Sequence, residues 1–358
     1  MPGEINLLRE LIAIPSLSGQ ETELAVFIEE TVRRWGLEVV RDSNAVRVEV
    51  RGWGSGPTLA LASHLDVVPP GAGWTRDPYT AVIEGTRLYG RGSGDAKASV
   101  AAMLYAAKDI VDGGGMDVGR LLIILGYSEE TRNTTMGAAV EAAGEIDAAV
   151  IGEPTSLEFA IAQRGLMMVD LLAQGDQRHA AYATNGEGFT NSVQVLARDL
   201  IKLEALFAGR THPVLGRATA TATMLEAGIS RNVTPPVARA VLDVRSTPDW
   251  THEEIAQELR SALTCDVIVT SRRLVPCETP PGSRLLATAS MLRPSAAHFG
   301  SPTCSDWVFF REGDAIKCGP GASPRSHTAD EYVDIPEVTA ARTFYGELVR
   351  AYLAGHSQ

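Results

Sequence analysis

Cysteine is scarce in this 358-residue chain: Cys265, Cys277, Cys304 and Cys318 are the only four, and no two stand in Cys-x-x-Cys spacing. That argues against a dense disulfide framework, so reduced thiols are expected and none is a strong candidate nucleophile. Basic charge is also in deficit, with 32 Lys and Arg against 44 Asp and Glu and a net charge of -12. A chain so acidic repels phosphates and is a poor partner for nucleic acid. Long apolar runs are missing too. Glu4, Arg9 and Glu10 interrupt the N-terminal apolar residues, and no run approaches the roughly eighteen needed to span a bilayer, so neither a secretory leader nor a membrane helix is expected and the protein is read as cytoplasmic. Repeats and low-complexity tracts are absent as well.

What is present is ordinary for a globular chain, with 45% hydrophobic and 21% charged residues. The length suggests two domains. Ile5, Leu8, Leu11 and Ile12 have helical spacing up to Pro15, and Ser18-Gly19-Gln20-Glu21 reads as a capping box before a helix carrying Leu24, Ile28, Val32 and Trp35 inward. Strands and helices then alternate to about residue 160, including a period-two strand at Val46, Val48 and Val50 and a small-residue helix from Ala98 to Val111. Such alternation predicts an α/β domain with a mixed, mainly parallel sheet flanked by helices. After Arg164-Gly165 the order becomes strand, helix, strand, strand, helix, strand, with strands near 166–172, 218–224 and 238–245 and helices near 192–206 and 253–263. That is the order of an α+β sandwich. The expected division is a discontinuous domain of 1–164 and 276–358 with an inserted lid or dimerisation domain at 165–275.

The chemistry gathers at the ends of apolar runs. Leu59-Ala60-Leu61-Ala62 leads into Ser63-His64-Leu65-Asp66, Leu121 to Tyr127 into Ser128-Glu129-Glu130, and Ala148 to Gly152 into Glu153-Pro154-Thr155. In an extended segment residues i and i+2 point the same way, so His64 and Asp66 emerge together from a strand tip, where open α/β sheets build their sites. Asp95 lies in a glycine-rich turn, Gly90-Arg91-Gly92-Ser93-Gly94-Asp95, and His327 follows Gly319-Pro320-Gly321. Two His, one Asp and two Glu suit a pair of divalent ions with one bridging carboxylate, and zinc fits that N/O set best, with cobalt or manganese also accommodated. Glu129 is left over as a general base. The glycines at 90, 92 and 94 do not make a phosphate loop, since neither Gly-x-Gly-x-x-Gly nor Gly-Lys-Ser/Thr is present. A catalytically dead binding protein is disfavoured because every ligand and base position holds a competent residue.

These blocks, His64 to Pro69, Gly90 to Lys97, Glu129-Glu130, Gly152 to Thr155 and Ser326-His327-Thr328, resemble in kind and order the signatures of the M20 metallopeptidases and deacylases, over essentially the whole chain. The resemblance implies that His64 and Glu153 hold one zinc, Glu130 and His327 the other, and Asp95 bridges them, two zinc ions per subunit. It further implies that Asp66 supports His64 or the base, that Glu129 is the base, and that the Asp95-Ala96 peptide is cis. His179 matches a lid histidine that stabilises the oxyanion, in cis or from a partner subunit, although Gln177 and Arg178 replace the usual small residues and Tyr182 to Asn185 is also unusual. Asn232, Arg245 and the hinge residue Arg164 are expected to face the substrate, with the amides of Gly319 and Gly321 meeting its carboxylate. The remaining histidines, His212, His252, His298 and His356, read as packing or surface residues.

The implied activity is zinc-dependent removal of an acyl group from a small N-acyl amino acid, with a homodimer formed through the lid. The C-terminal blocks resemble enzymes acting on N-acetylornithine or N-acetylcitrulline in arginine biosynthesis most. Hydrolases releasing lysine or ornithine from an amino-group carrier protein, succinyl-diaminopimelate desuccinylase, and dipeptidases or carboxypeptidases of the same chemistry are the alternatives.

Overall fold

The computed structural model describes residues 1–131, 133–183 and 188–355. The chain divides into two compact units, one of Met1–Ile161, Thr279–Phe299 and Ser305–Gln358, the other of Ala162–Glu278 and Gly300–Cys304.

In the first unit the strands Val118–Gly126, Gly54–His64, Ala148–Ile151 and Asp314–Lys317 lie side by side and pair parallel. Ala45–Arg51 and then Glu38–Arg41 extend the sheet antiparallel beyond Val118–Gly126, and Phe159–Gln163 pairs antiparallel beyond Asp314–Lys317. Leu59 to Ala62 and Ile123 to Leu125 are fully buried, as expected of central strands covered on both faces. The helix Lys97–Asp112 packs against Gly3–Ala13 and Ile335–Ala354. Its many alanines, among them Ala98, Ala101, Ala102, Ala106 and Ala107, are buried without demanding volume.

Register explains where the chemistry lands. His64 pairs with Gly126 and Ala62 with Ile151, so the segments that follow, carrying Asp66, Glu129-Glu130 and Glu153, leave the sheet at one edge.

The expected capping box at Ser18–Glu21 is not formed. Glu21 occupies the N-cap of the helix Thr22–Arg34 without a side-chain cap bond, because its carboxylate accepts instead from the backbone of Gly19 and Ser128. A true capping box forms at Thr251 and Glu254, ahead of the helix His252–Ala262.

The second unit is an antiparallel four-stranded sheet in the order Thr219–Ala227, Val237–Ser246, Gly165–Gln174, Asp266–Leu274. Alternate residues Met167, Val169, Leu171 and Ala238, Ala240, Leu242, Val244 face the helices Ser192–Phe207 and His252–Ala262, whose Leu196, Leu203, Ile255 and Leu259 complete the core. Gly300–Cys304 belongs to this unit because Ser301 accepts a hydrogen bond from the Arg164 amide and Gly300 abuts Val214 and Leu215 closely enough to leave no room for a Cβ. Among the described residues no helix is long and apolar enough to cross a membrane, and none of the four cysteines is in a disulfide.

Candidate metal centre

Within the first unit one carboxylate stands between two imidazoles. Asp95 Oδ1 is 3.2 Å from His64 Nε2 and Asp95 Oδ2 is 3.6 Å from His327 Nε2. Glu153 Oε1 lies 3.8 Å from His64 Nε2, and Glu130 Oε1 lies 2.9 Å from His327 Nε2. Each imidazole therefore has its own glutamate, and Asp95 offers one oxygen to each. Ligand atoms of His64, Asp95 and Glu130 fall within 4.8 Å of one another, a spacing that could hold a metal ion.

The His64 tautomer follows from its surroundings. Nδ1 lies 3.0 Å from the Asp66 carbonyl, which can only accept, so Nδ1 carries the proton and Nε2 presents its lone pair to the acids. The Asp66 carboxylate, expected to support His64 or the base, reaches the backbone of the expected base. Oδ1 accepts from Glu129 N at 2.9 Å and Oδ2 from Glu130 N at 3.0 Å and Ser18 Oγ at 2.7 Å, while His64 Nδ1 is 3.5 Å away. Burial pushes this carboxyl up, but the imidazole and these donors outweigh burial and hold it below the usual range.

The electrostatics fit a cation. Burial pushes Glu129 well above the ordinary carboxylate range, with Glu153, Asp306 and Glu130 adding repulsion. Glu153 is pushed up to about 7 by burial and by Asp95, and Asp306 to about 8, chiefly by burial. His327 is raised by its hydrogen bond to Glu130. Acids crowded until they resist ionising, facing imidazole lone pairs, form a donor set whose excess negative charge a divalent ion would relieve.

The turn carrying Asp95 is held from behind. Glu331 and Arg91 form a buried ion pair at 2.5 Å, and the Glu331 carboxylate accepts from Gly92 N, Gly94 N and Asp95 N at 3.2, 2.8 and 3.0 Å. The Asp95-Ala96 peptide is cis. Lys97 turns away, its Nζ donating to the Leu11 and Ile14 carbonyls at the end of the helix Gly3–Ala13, and burial lowers its pKa to about 7. Asp306 and Glu331 carry no expected role from sequence, although the C-terminal blocks that bear the resemblance, Ser301 to Trp307 and Gly319 to Glu331, contain them.

The amides expected to meet a substrate carboxylate are occupied. Gly319 N donates to Thr155 Oγ1 and Gly321 N to Glu337 Oε2, which leaves neither donor for a ligand.

In the second unit His179 is exposed, capping the short turn Ala180–Tyr182, with Nδ1 accepting from Ala181 N. Asn232 lies on the adjoining stretch, where its carbonyl accepts from Ala180 N and its side chain from Ser230 Oγ. Thr184 and Asn185 fall outside the described residues. Arg245 does not hold its fork open. It closes on Asp243 at 2.7 and 3.1 Å. Arg164 donates to the Leu215 carbonyl and its pKa is lowered by burial and by Arg245, which places two guanidiniums near each other in this unit. His212 and His252 are buried, with His252 bonded to Ser246 and the Arg272 carbonyl, while His298 is exposed and His356 lies outside the described residues.

Residues 60–351 match the sequence pattern of peptidase family M20/M25/M40. A succinyl-diaminopimelate desuccinylase of Rhizorhabdus wittichii is 30% identical over 98% of this chain and 98% of its own length. Among solved structures, aminopeptidase PepT of Bacillus cereus superposes with a TM-score of 0.81 at 18% identity, covering 99% of this chain and 98% of its own. A protein of Bacillus subtilis described as a dinuclear metal-binding peptidase of the M20 family superposes at 0.76 and 17% identity, with 98% of each chain covered. At those identities the structures speak for the fold alone.

Proposed function

The chain belongs to peptidase family M20/M25/M40, whose members are metal-dependent hydrolases of amide and peptide bonds, and on that premise we propose that it removes the acyl group from a small N-acyl amino acid. The observation that carries the reading is Asp95, with one oxygen turned to His64 and the other to His327. His64 and Glu153 would hold one divalent ion, His327 and Glu130 the other, and Asp95 would span both, with zinc as the ion best suited to the set. When bound, such ions polarise the substrate carbonyl and bring the pKa of water to about 7.

Glu129 does the proton work in this account. Its carboxylate, partly buried and raised above the ordinary carboxylate range by that burial, takes the proton of the attacking water and returns it to the departing amine. Asp66 keeps the Glu129 and Glu130 backbone in place. His179, exposed in the second unit, is the candidate for the oxyanion, and Arg164 beside Arg245 for a substrate carboxylate. Asn232 would stand with His179 on the same paired stretch.

The named relatives favour N-succinyl-diaminopimelate over N-acetylornithine as the first substrate to try, and the arginine-pathway expectation finds no support in them. A homodimer through the second unit is supported by its edge strand Thr219–Ala227, which leaves Met224 and Leu225 more than half exposed. The test is a panel of N-succinyl-diaminopimelate, N-acetylornithine, N-acetylcitrulline, N-acetyllysine and simple dipeptides, offered to the zinc-loaded protein with and without chelator. Hydrolysis of one N-acyl amino acid that chelator stops is expected, whereas cleavage of dipeptides alone would move the assignment to a peptidase.

A further inference from the structure

We infer that Ser18 and Glu21, on the segment between the first two helices, are positioning residues that fix the backbone beneath Glu129, an inference resting on the reading of Glu129 as base. Ser16 ties this segment to the stretch after His64, its Oγ donating to the Leu65 carbonyl at 2.7 Å and its carbonyl accepting from Val67 N at 2.9 Å. Ser18 Oγ then donates to Asp66 Oδ2 at 2.7 Å, and Asp66 receives the amides of Glu129 and Glu130. Glu21 Oε1 receives the Ser128 amide at 2.9 Å, the Ser128 hydroxyl at 3.2 Å and the Gly19 amide at 2.9 Å.

Three consecutive amides, those of Ser128, Glu129 and Glu130, are thus claimed by two internal carboxylates. Successive N–H groups that converge in this way form a concave anion site, and here the protein fills it with its own acids. Ser128 needs the restraint, since it adopts φ of 55°, a left-handed conformation that a non-glycine residue keeps only when its surroundings impose it. Glu21 is 5% exposed and gives no cap bond to its own helix, so its burial is accounted for by the Ser128 contact. A loop fixed on both sides of Glu129 need not be ordered again when substrate arrives, which is the condition for efficient proton transfer.

The experiment is amide hydrogen exchange on the metal-free protein, read by mass spectrometry for wild type, Ser18→Ala, Glu21→Ala and Glu21→Gln. Removing the Ser128 acceptor in Glu21→Ala should speed exchange in the peptide spanning 127–131 by about tenfold while strand 118–125 keeps its protection. Glu21→Gln keeps a carbonyl oxygen for Ser128 and should restore slow exchange, and Ser18→Ala should give a smaller acceleration at Glu129 and Glu130. On whichever amide the zinc-loaded wild type hydrolyses, Glu21→Ala should lower kcat by about tenfold or more and leave KM nearly unchanged, the pattern of a lost transition-state contact. Unchanged exchange at 127–131 in Glu21→Ala, or equal loss of protection in 118–125, would overturn the clamp. A wild type that hydrolyses nothing in the panel would overturn the role of Glu129 instead, and the exchange comparison would still decide the clamp.

Discussion

Glu129 and its neighbours differ in task though not in chemistry. Glu130 and Glu153 each face an imidazole, whereas Glu129 has Asn133 Nδ2 at 3.3 Å. Glu129→Gln preserves that shape but cannot accept a proton, so kcat should fall by about 10²–10⁴-fold while both metals stay bound. Steady-state kinetics beside metal analysis checks this, and full activity would remove Glu129 from the mechanism. Glu331 is the second residue with a sharp consequence, because its carboxylate answers Arg91 and three amides of the Asp95 turn. Glu331→Ala strands a buried guanidinium and should cost about 3–5 kcal/mol in urea unfolding. Of these residues, the acids ending apolar runs were legible in the sequence, since strand and loop are contiguous there. Glu331 was not, as its partners lie some 240 residues away along the chain and carry no local pattern.

At the scale of elements, apolar runs told more than capping patterns did. Continuous burial in Leu59 to Ala62 and Ile123 to Leu125 announced central strands, and the period of two in Met167, Val169 and Leu171 announced a half-covered sheet. Ser18–Glu21 misled because a Ser-x-x-Glu spacing fits both a capping box and a tertiary clamp, and only the position of Ser128 decides between them. The glycines of the expected substrate site misled for a related reason, since Thr155 and Glu337 take up amide donors that look free in sequence. Close approach makes Gly319 a sensitive position, as a Cβ there would sit 2.5 Å from Ser99 Oγ and 2.6 Å from the Glu153 carbonyl. Gly319→Ala should destabilise by about 1–3 kcal/mol and push the Glu153 segment from its place. A lowered urea midpoint together with weaker zinc affinity would bear this out, and an unchanged pair of values would contradict it. Lys97 works differently, because its ammonium satisfies the Leu11 and Ile14 carbonyls at a helix end. Lys97→Met should leave those acceptors bare and cost about 1–3 kcal/mol by the same unfolding measurement.

For the whole molecule, each unit carries residues that the proposed function draws on. The first holds the crowded acids and imidazoles, and the second holds the exposed His179 as well as Arg164 and Arg245. Alternation of strands and helices, then its change near residue 165, is what the expectation of an inserted domain rested on. The return of Gly300–Cys304 to the second unit was invisible, since it depends on Gly300 fitting against Val214. Metal should also couple to folding, as two ions held between them by five side chains of the folded state and few of the unfolded one raise stability with their concentration. Stripping it with chelator should therefore lower the melting temperature and abolish hydrolysis together. The most direct test of the account is the zinc stoichiometry of the chelator-stripped protein, titrated calorimetrically for wild type and Asp95→Ala. Two ions per chain in wild type, with at least one lost in Asp95→Ala, is the predicted result, and a wild type that binds no ion, or a variant that binds both as tightly, would contradict it.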